Sequence, residues 1–155
     1  MITRLAHPED LPGLLQLAGE VEQWFGPMVD DDGFHTAVMR NIGRGTALVV
    51  DAHQGSGLLG GLLFGGTSPI YHVRWLAVAE QARRQGVGRA LVADAIARFV
   101  REPQAVVEAV TFAQDHPAAS ISGARSFYER LGFMAAEPAD VGPEGGPRQV
   151  YRLAT

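Results

Sequence analysis

The chain has 155 residues, 46% of them hydrophobic and 19% charged, with a formal net charge of -4 and no cysteine. That balance describes one folded domain spanning residues 1–155, and it excludes disulfides, thiolate zinc sites and cysteine nucleophiles. The acidic balance argues against a general nucleic-acid binder. With no basic leader and no run of about 18 apolar residues, neither a signal peptide nor a membrane span is expected, and a cytoplasmic location is the default.

Ile2 to Leu5 reads as a short strand. His7-Pro8-Glu9-Asp10 marks a helix start, with proline early and acids where the amide dipoles point. Leu11, Leu14, Leu15, Leu17, Ala18 and Val21 carry the apolar stripe, and Gly26-Pro27 sets an end near Glu22 to Trp24. Asp30-Asp31-Asp32 caps a second helix running to about Ile42, with Phe34, Val38 and Ile42 on one face, before Gly43 and Gly45 break the chain. Thr46 to Asp51 and Leu58 to Phe64 form a hairpin about a turn at Gly55-Ser56-Gly57, and Gly60-Gly61 marks a bulge or a close backbone approach.

Ile70 to Val78 is the next strand. Gly86 to Val100 is a helix with Val87, Leu91, Val92, Ala95, Ile96 and Phe99 on its stripe. Ala105 to Phe112 is a strand, and Ala119 to Leu131 is a helix that Gly132 ends. Phe133 to Ala136 and Gln149 to Leu153 are closing strands around Pro138 to Pro147, a proline- and glycine-rich stretch expected to be a mobile surface loop. The order β-α-α-β-β-β-α-β-α-β-β mixes antiparallel hairpins with a strand-helix-strand unit, which predicts the α+β, or mixed α/β, class.

Arg83-Arg84-Gln85-Gly86-Val87-Gly88-Arg89 follows a strand and opens a helix. Glycines let a backbone approach a ligand, and the first amides of a helix lack internal partners and favour anions, phosphate above all. Three arginines add charge and forked donors. A Walker loop would need a lysine, and a dinucleotide fingerprint would need a third glycine where Leu91 stands. Taken alone, the stretch is either a phosphate site or a turn with a solvated arginine face.

Arg83-x-x-Gly86-x-Gly88 closely resembles the acyl-CoA pyrophosphate loop of the GNAT acetyltransferase superfamily. Leu76-Ala77-Val78 is similar to that family's fourth strand, and Ser126-Phe127-Tyr128-Glu129-Arg130-Leu131-Gly132-Phe133 to its late helix. The order of segments matches the family from end to end. The resemblance implies a central mixed, mostly antiparallel sheet flanked by helices. It implies that Leu76 to Val78 pair with a pantetheine arm as an added strand, and that amides from Arg84 to Arg89 hold the pyrophosphate. It also implies direct attack by an amine, with acetyl-CoA as co-substrate and no metal. A homodimer is a common arrangement in that family. One departure is Ile121, near the position where the family often carries asparagine, which leaves Ser120 or Ser122 to supply that hydrogen bond.

The attacking amine must be neutral, and the departing thiolate needs a proton or a hydrogen bond. By resemblance Tyr128 holds the acid position beside the CoA sulfur, the alternative being a core tyrosine. His72 is the candidate base, because several superfamily members carry a glutamate at this spacing before the phosphate loop. Strand alternation would set His72, Arg74, Leu76 and Val78 on one face, with Tyr71, Val73, Trp75 and Ala77 on the other. Asp115 and His116 follow the fifth strand and either bind the acceptor or cap a turn before Pro117. Asp31 and His35 share a helix face, read as capping and surface pairing rather than metal ligation. Glu20 and Glu22 either hold an amine's charge or face water, while Trp24, Phe25 and Met28 wall an acceptor pocket or cover the core. The reading is an N-acetyltransferase acting on a primary amine. A different acyl donor, or a non-catalytic acyl-CoA sensor, is the alternative, and the acceptor is left unnamed.

Overall fold

The computed structural model describes residues 1–53 and 57–155. In chain order it contains β1 (Thr3–Leu5), a 3-10 turn (Pro8–Asp10), α1 (Leu11–Phe25), α2 (Asp32–Arg44), β2 (Ala47–Asp51), β3 (Leu58–Thr67) and β4 (Ile70–Val78). A second 3-10 turn (Glu80–Ala82), α3 (Val87–Phe99), β5 (Val106–Phe112), α4 (Ala124–Arg130), β6 (Met134–Ala139) and β7 (Arg148–Ala154) follow. The strands form one sheet in the order β1-β2-β3-β4-β5-β7-β6. Every neighbouring pair is antiparallel except β4 with β5. This is the mixed, mostly antiparallel sheet expected from the sequence.

The helices cover the sheet from two sides. α1 turns Leu14, Leu17, Ala18 and Val21 inward, and α3 buries Val87, Leu91, Val92 and Ala95. Gly60 and Gly61 lie between these layers. A β-carbon on Gly60 would stand 2.6 Å from Val87, and one on Gly61 2.5 Å from Leu14. Their bareness lets a helix approach from either side, and a register shift at Val50/Asp51 places a bulge beside them. α4 packs on the α3 side, where Tyr128 meets Phe133 and Tyr151 at ring-centroid distances of 5.3 and 6.2 Å.

Several boundaries differ from the sequence expectation for local reasons. α1 reaches Phe25 and stops at Gly26, whose φ is 90. α2 passes through Gly43 to Arg44, and only Gly45, left-handed at φ 70, ends it. β3 runs on to Thr67 because β4 pairs with it from Gly60 opposite Val78 to Thr67 opposite Ile70. The late helix begins only at Ala124, because Gly123 is left-handed at φ 71 and breaks the turns before it. β6 continues through Pro138 and Ala139, a sheet edge where proline is tolerated. The remaining loop, residues 140–147, is tied down: His116 Nε2 lies 3.3 Å from Glu144 Oε1 and Arg148 Nε donates to the Asp140 carbonyl at 2.7 Å. The turn expected at Gly55-Ser56-Gly57 falls mostly on residues outside those described. Among the described residues no helix is long and apolar enough to cross a membrane.

Candidate functional site

The parallel pair β4 and β5 is joined only from Ile70 opposite Val106 to Val73 opposite Ala109. β4 then continues against β3 alone, and β5 against β7 alone. The two strands therefore part, leaving a wedge between residues 74–78 and 110–112. Directly at the parting, Leu63 and Phe64 of β3 face Trp75 and Val73, so Arg74 is the extra residue of a β-bulge.

That bulge overturns the expected alternation. Tyr71 stacks on Phe64, which stacks on Phe99 of α3. Val78 also faces α3, since a β-carbon on Gly88 would stand 3.6 Å from it. Trp75 packs edge-on against Phe34 of α2, and Ala77 lies opposite Gly61, which abuts α1. His72 thus shares the α1–α2 face with Trp75 and Ala77, not the face of Leu76 and Val78. One inserted residue exchanges the two sides of a strand whose side chains alternate.

On the α3 face, Arg84 and Gly86 have positive φ, 64 and 86. The chain thereby turns sharply into α3, whose first amides, Val87 to Arg89, have no partner within the helix. Arg84, Gln85 and Arg89 are exposed there. Arg83 lies over the Trp24 ring at 5.0 Å, and its Nε donates to the Val78 carbonyl at 3.4 Å. Gly86 has open space around it, whereas a β-carbon on Gly88 would come within 2.8 Å of Phe127. The two glycines of the motif therefore serve different ends: one bends the backbone, the other admits α4. Tyr128 is buried at 7% exposure. Burial alone pushes its phenol above the usual tyrosine range, with no hydrogen bond to its hydroxyl contributing among the described residues.

On the opposite face lie two adjoining cavities of about 290 Å³ each. One is largely apolar, walled by Phe25, Met28 and Phe34 from the α1–α2 region and by Val110 and Phe112 of β5, with Asp31 and Glu144 also in its lining. The other is lined by His72, Arg74, Glu108 and Arg148. Val110 and Arg148 line both. His72 Nδ1 lies 3.7 Å from Glu108 Oε1, while Glu108 Oε2 accepts from Arg152 at 2.5 Å. Arg152 also forks onto Glu137, holding that carboxyl well down, at about 2.

Among the residues singled out from sequence, Phe25 and Met28 line the apolar cavity, whereas Trp24 lines neither and supports Arg83 instead. Glu22 accepts the Met28 and Val29 amides at 2.6 and 2.9 Å and so pins the α1–α2 connection, which holds its carboxyl below the usual range. Glu20 accepts the Glu80 amide at 2.8 Å. Asp115 is exposed and lines neither cavity; its neighbour His116 is buried and pairs with Glu144. Asp31 caps α2 through the Phe34 amide at 2.8 Å, and His35 bonds the Val29 carbonyl. Ile121 is 75% exposed, while Ser122 accepts the Ala124 amide at 3.3 Å. Glu108, Arg148 and Glu144 were not foreseen. A lone carboxylate in the apolar run Val106-Val107-Glu108-Ala109-Val110 is the one signal that pointed to any of them.

A family model described as the acetyltransferase (GNAT) domain matches residues 33–135. Among solved structures, a ribosomal-protein-alanine N-acetyltransferase from Brucella melitensis is 25% identical, with a TM-score of 0.71 over 100% of both chains. Ard1 from Thermoplasma volcanium, at 15% identity, has a TM-score of 0.77 over 99% of this chain and 97% of its own. A NatC complex bound to Gag peptide and CoA, also at 15%, has a TM-score of 0.74 over 99% of this chain and 98% of that one. No curated protein sequence matches the chain. With the domain matched over more than half of its 155 residues and the fold shared from end to end, the chain belongs to the GNAT acetyltransferases, whose chemistry is acyl transfer from acyl-CoA.

Proposed function

We propose that the protein is an N-acetyltransferase that moves acetyl from acetyl-CoA to a primary amine by direct attack. The observation that carries this reading is the wedge between β4 and β5, which joins the α3 amides and Tyr128 on one face to the two cavities on the other. The arginine-bearing turn from Arg83 to Arg89 and the first amides of α3 hold the pyrophosphate. The unpaired edge of β4 from Leu76 through Ala77 to Val78 takes the pantetheine arm as an added strand. The acceptor enters from the cavity side, with Phe25 as part of its wall.

In the step itself the amine nitrogen bonds to the acyl carbon and the carbon–sulfur bond breaks. The thiolate takes the Tyr128 proton, and the proton shed by the nitrogen goes to His72. Tyr128 carries its proton at neutral pH, as tyrosines do. Because burial pushes its phenol up, it is a weak acid that gives the departing sulfur a hydrogen bond before a proton. His72 turns Nδ1 toward Glu108, which orients the ring and leaves Nε2 for the amine. Such proton transfers are each worth about 10²- to 10⁴-fold in rate.

The test is an amine-panel screen that reads release of free CoA from acetyl-CoA, with wild type and His72→Gln compared on the same amine across pH. We expect turnover with at least one amine, and in the variant a lower kcat/KM without the acidic limb due to the imidazole. Matching profiles in shape and height would make His72 structural. Tight acetyl-CoA binding with no amine accepted would refute transfer to amines.

A further inference from the structure

The charge in the second cavity is unevenly paired. Glu108 is neutralised by Arg152, and Arg152 also holds Glu137. Arg74 and Arg148, which line the same cavity, form no ion pair with any carboxylate among the described residues. Arg148 spends its Nε on the Asp140 carbonyl. Arg74, the bulge residue, lies flat across Gly65: a β-carbon there would fall 2.0 Å from Arg74 Nε. Only glycine at 65 permits that placement. In a chain with net charge -4, two arginines that line one cavity and pair with no carboxylate among the described residues bias it toward an anion.

The neighbouring cavity supplies the rest of the ligand's shape. It is apolar and aromatic, and its two carboxylates are engaged, Asp31 in capping α2 and Glu144 beside His116. The 140–147 loop reaches across it: Pro143 would be 3.4 Å from a β-carbon on Gly26. Together with the His116–Glu144 contact, this roofs the cavity and suits a small molecule better than a protein surface. Val110 and Arg148 belong to both cavities, so a single small ligand can occupy both beside the wedge.

We propose that the acceptor is a free α-amino acid with an apolar side chain, its carboxylate held by Arg74 and Arg148 and its side chain by Phe25, Met28, Phe34 and Phe112. This rests on the transfer reading above and names its substrate class. A peptide N-terminus lacks the carboxylate that these arginines call for.

The probes are N-acetyl-L-phenylalanine and N-acetyl-L-phenylalaninamide, which differ only in that carboxylate and carry no titrating amine. Calorimetry on CoA-saturated protein is expected to show the acid binding about 10- to 100-fold tighter. Arg74→Gln and Arg148→Gln should each collapse that ratio, and Arg74→Lys, which keeps charge but loses the fork, should fall between. Turnover should favour L-phenylalanine over its amide. Equal or tighter binding of the amide, no binding of either probe, or variants that weaken both probes alike would overturn the proposal. Tighter binding of the acid without CoA release from acetyl-CoA and any amine would support the anion subsite while refuting transfer to an amine.

Discussion

Replacing Gly88 by alanine separates the two glycines of the phosphate motif by their physical roles. The new β-carbon would stand 2.8 and 2.9 Å from Cε1 and Cζ of Phe127, roughly 0.7 Å inside ordinary carbon contact. Overpacking of this kind costs about 1–3 kcal/mol. The atoms met are the tip of a ring that is only partly buried, so it can swing aside and the cost falls near the lower end, about 1 kcal/mol. For a chain of this size that lowers Tm by about 2–4 °C. Phe127→Leu removes the ring tip, so in that background Gly88→Ala should cost close to nothing, a coupling of about 1 kcal/mol in a double-mutant cycle. Gly86→Ala is the internal control. Nothing lies within 4 Å of its β-carbon, and its cost, about 1–2 kcal/mol of left-handed strain, should be the same with or without Phe127. Thermal melts of the variants decide the matter. Full additivity of Gly88→Ala with Phe127→Leu would refute the packing account and return Gly88 to the role of a phosphate glycine.

Gly86→Asp should abolish acetyl-CoA binding by calorimetry through a negative charge set against the α3 amides, and retained affinity would remove this turn from the donor site. Tyr128→Phe should lower kcat by about 10- to 1,000-fold with acetyl-CoA affinity within a few-fold, and should leave Tm nearly unchanged because the ring packing is kept and no hydrogen bond from the hydroxyl is lost among the described residues; full chemistry-limited kcat would make the residue packing alone. Glu22 is held below its ordinary value of 4.5 by the Met28 and Val29 amides. Its contribution is therefore present above about pH 4.5 and lost as pH falls through the folded value, so the Tm gap between wild type and Glu22→Gln should be widest near neutrality and close in acid.

The elements were legible wherever a period ran uninterrupted. The stripe from Leu11 to Val21 follows from spacing alone, because burial on one face imposes a repeat of 3.6, and the apolar runs ending at Val78 and Phe112 mark strands even where, as at Arg74, the alternation within them is broken. The failures sit where a single residue resets that count. Gly123 in the left-handed region removes the first turn of the expected late helix, and Gly43, which can be helical, does not stop α2 while Gly45 does. Site residues split the same way. The turn from Arg83 to Arg89 is written in consecutive residues and can be read. The facing pairs His72–Glu108 and His116–Glu144 join positions 36 and 28 apart. Only the register of β4 against β5 and the path of the β6–β7 loop bring them together, and neither leaves a local pattern.

The bulge at Arg74 ties these strands of reasoning into one constraint. Without it, a regular β4 would carry His72 on the face of Leu76 and Val78, the side covered by α3. Tyr128 belongs to that same side through its contact with Tyr151, because Arg152, one residue on, reaches Glu108 on the opposite face. His72 and Tyr128 would then lie on one surface, with the two cavities left without either. The extra residue rotates His72 to the cavity face and leaves Tyr128 where it is. The two protons of an acyl transfer must move in opposite senses, one leaving the amine and one reaching the sulfur. Under the proposed transfer, groups on opposite faces of an open wedge would serve both without competing for one volume. Deleting Arg74 would leave Phe64 opposite Val73 and Leu63 opposite Trp75, a regular pairing that keeps His72 on the cavity face while removing bulge and guanidinium together. For that reason substitution, which keeps the bulge, is the way to ask what the guanidinium itself contributes.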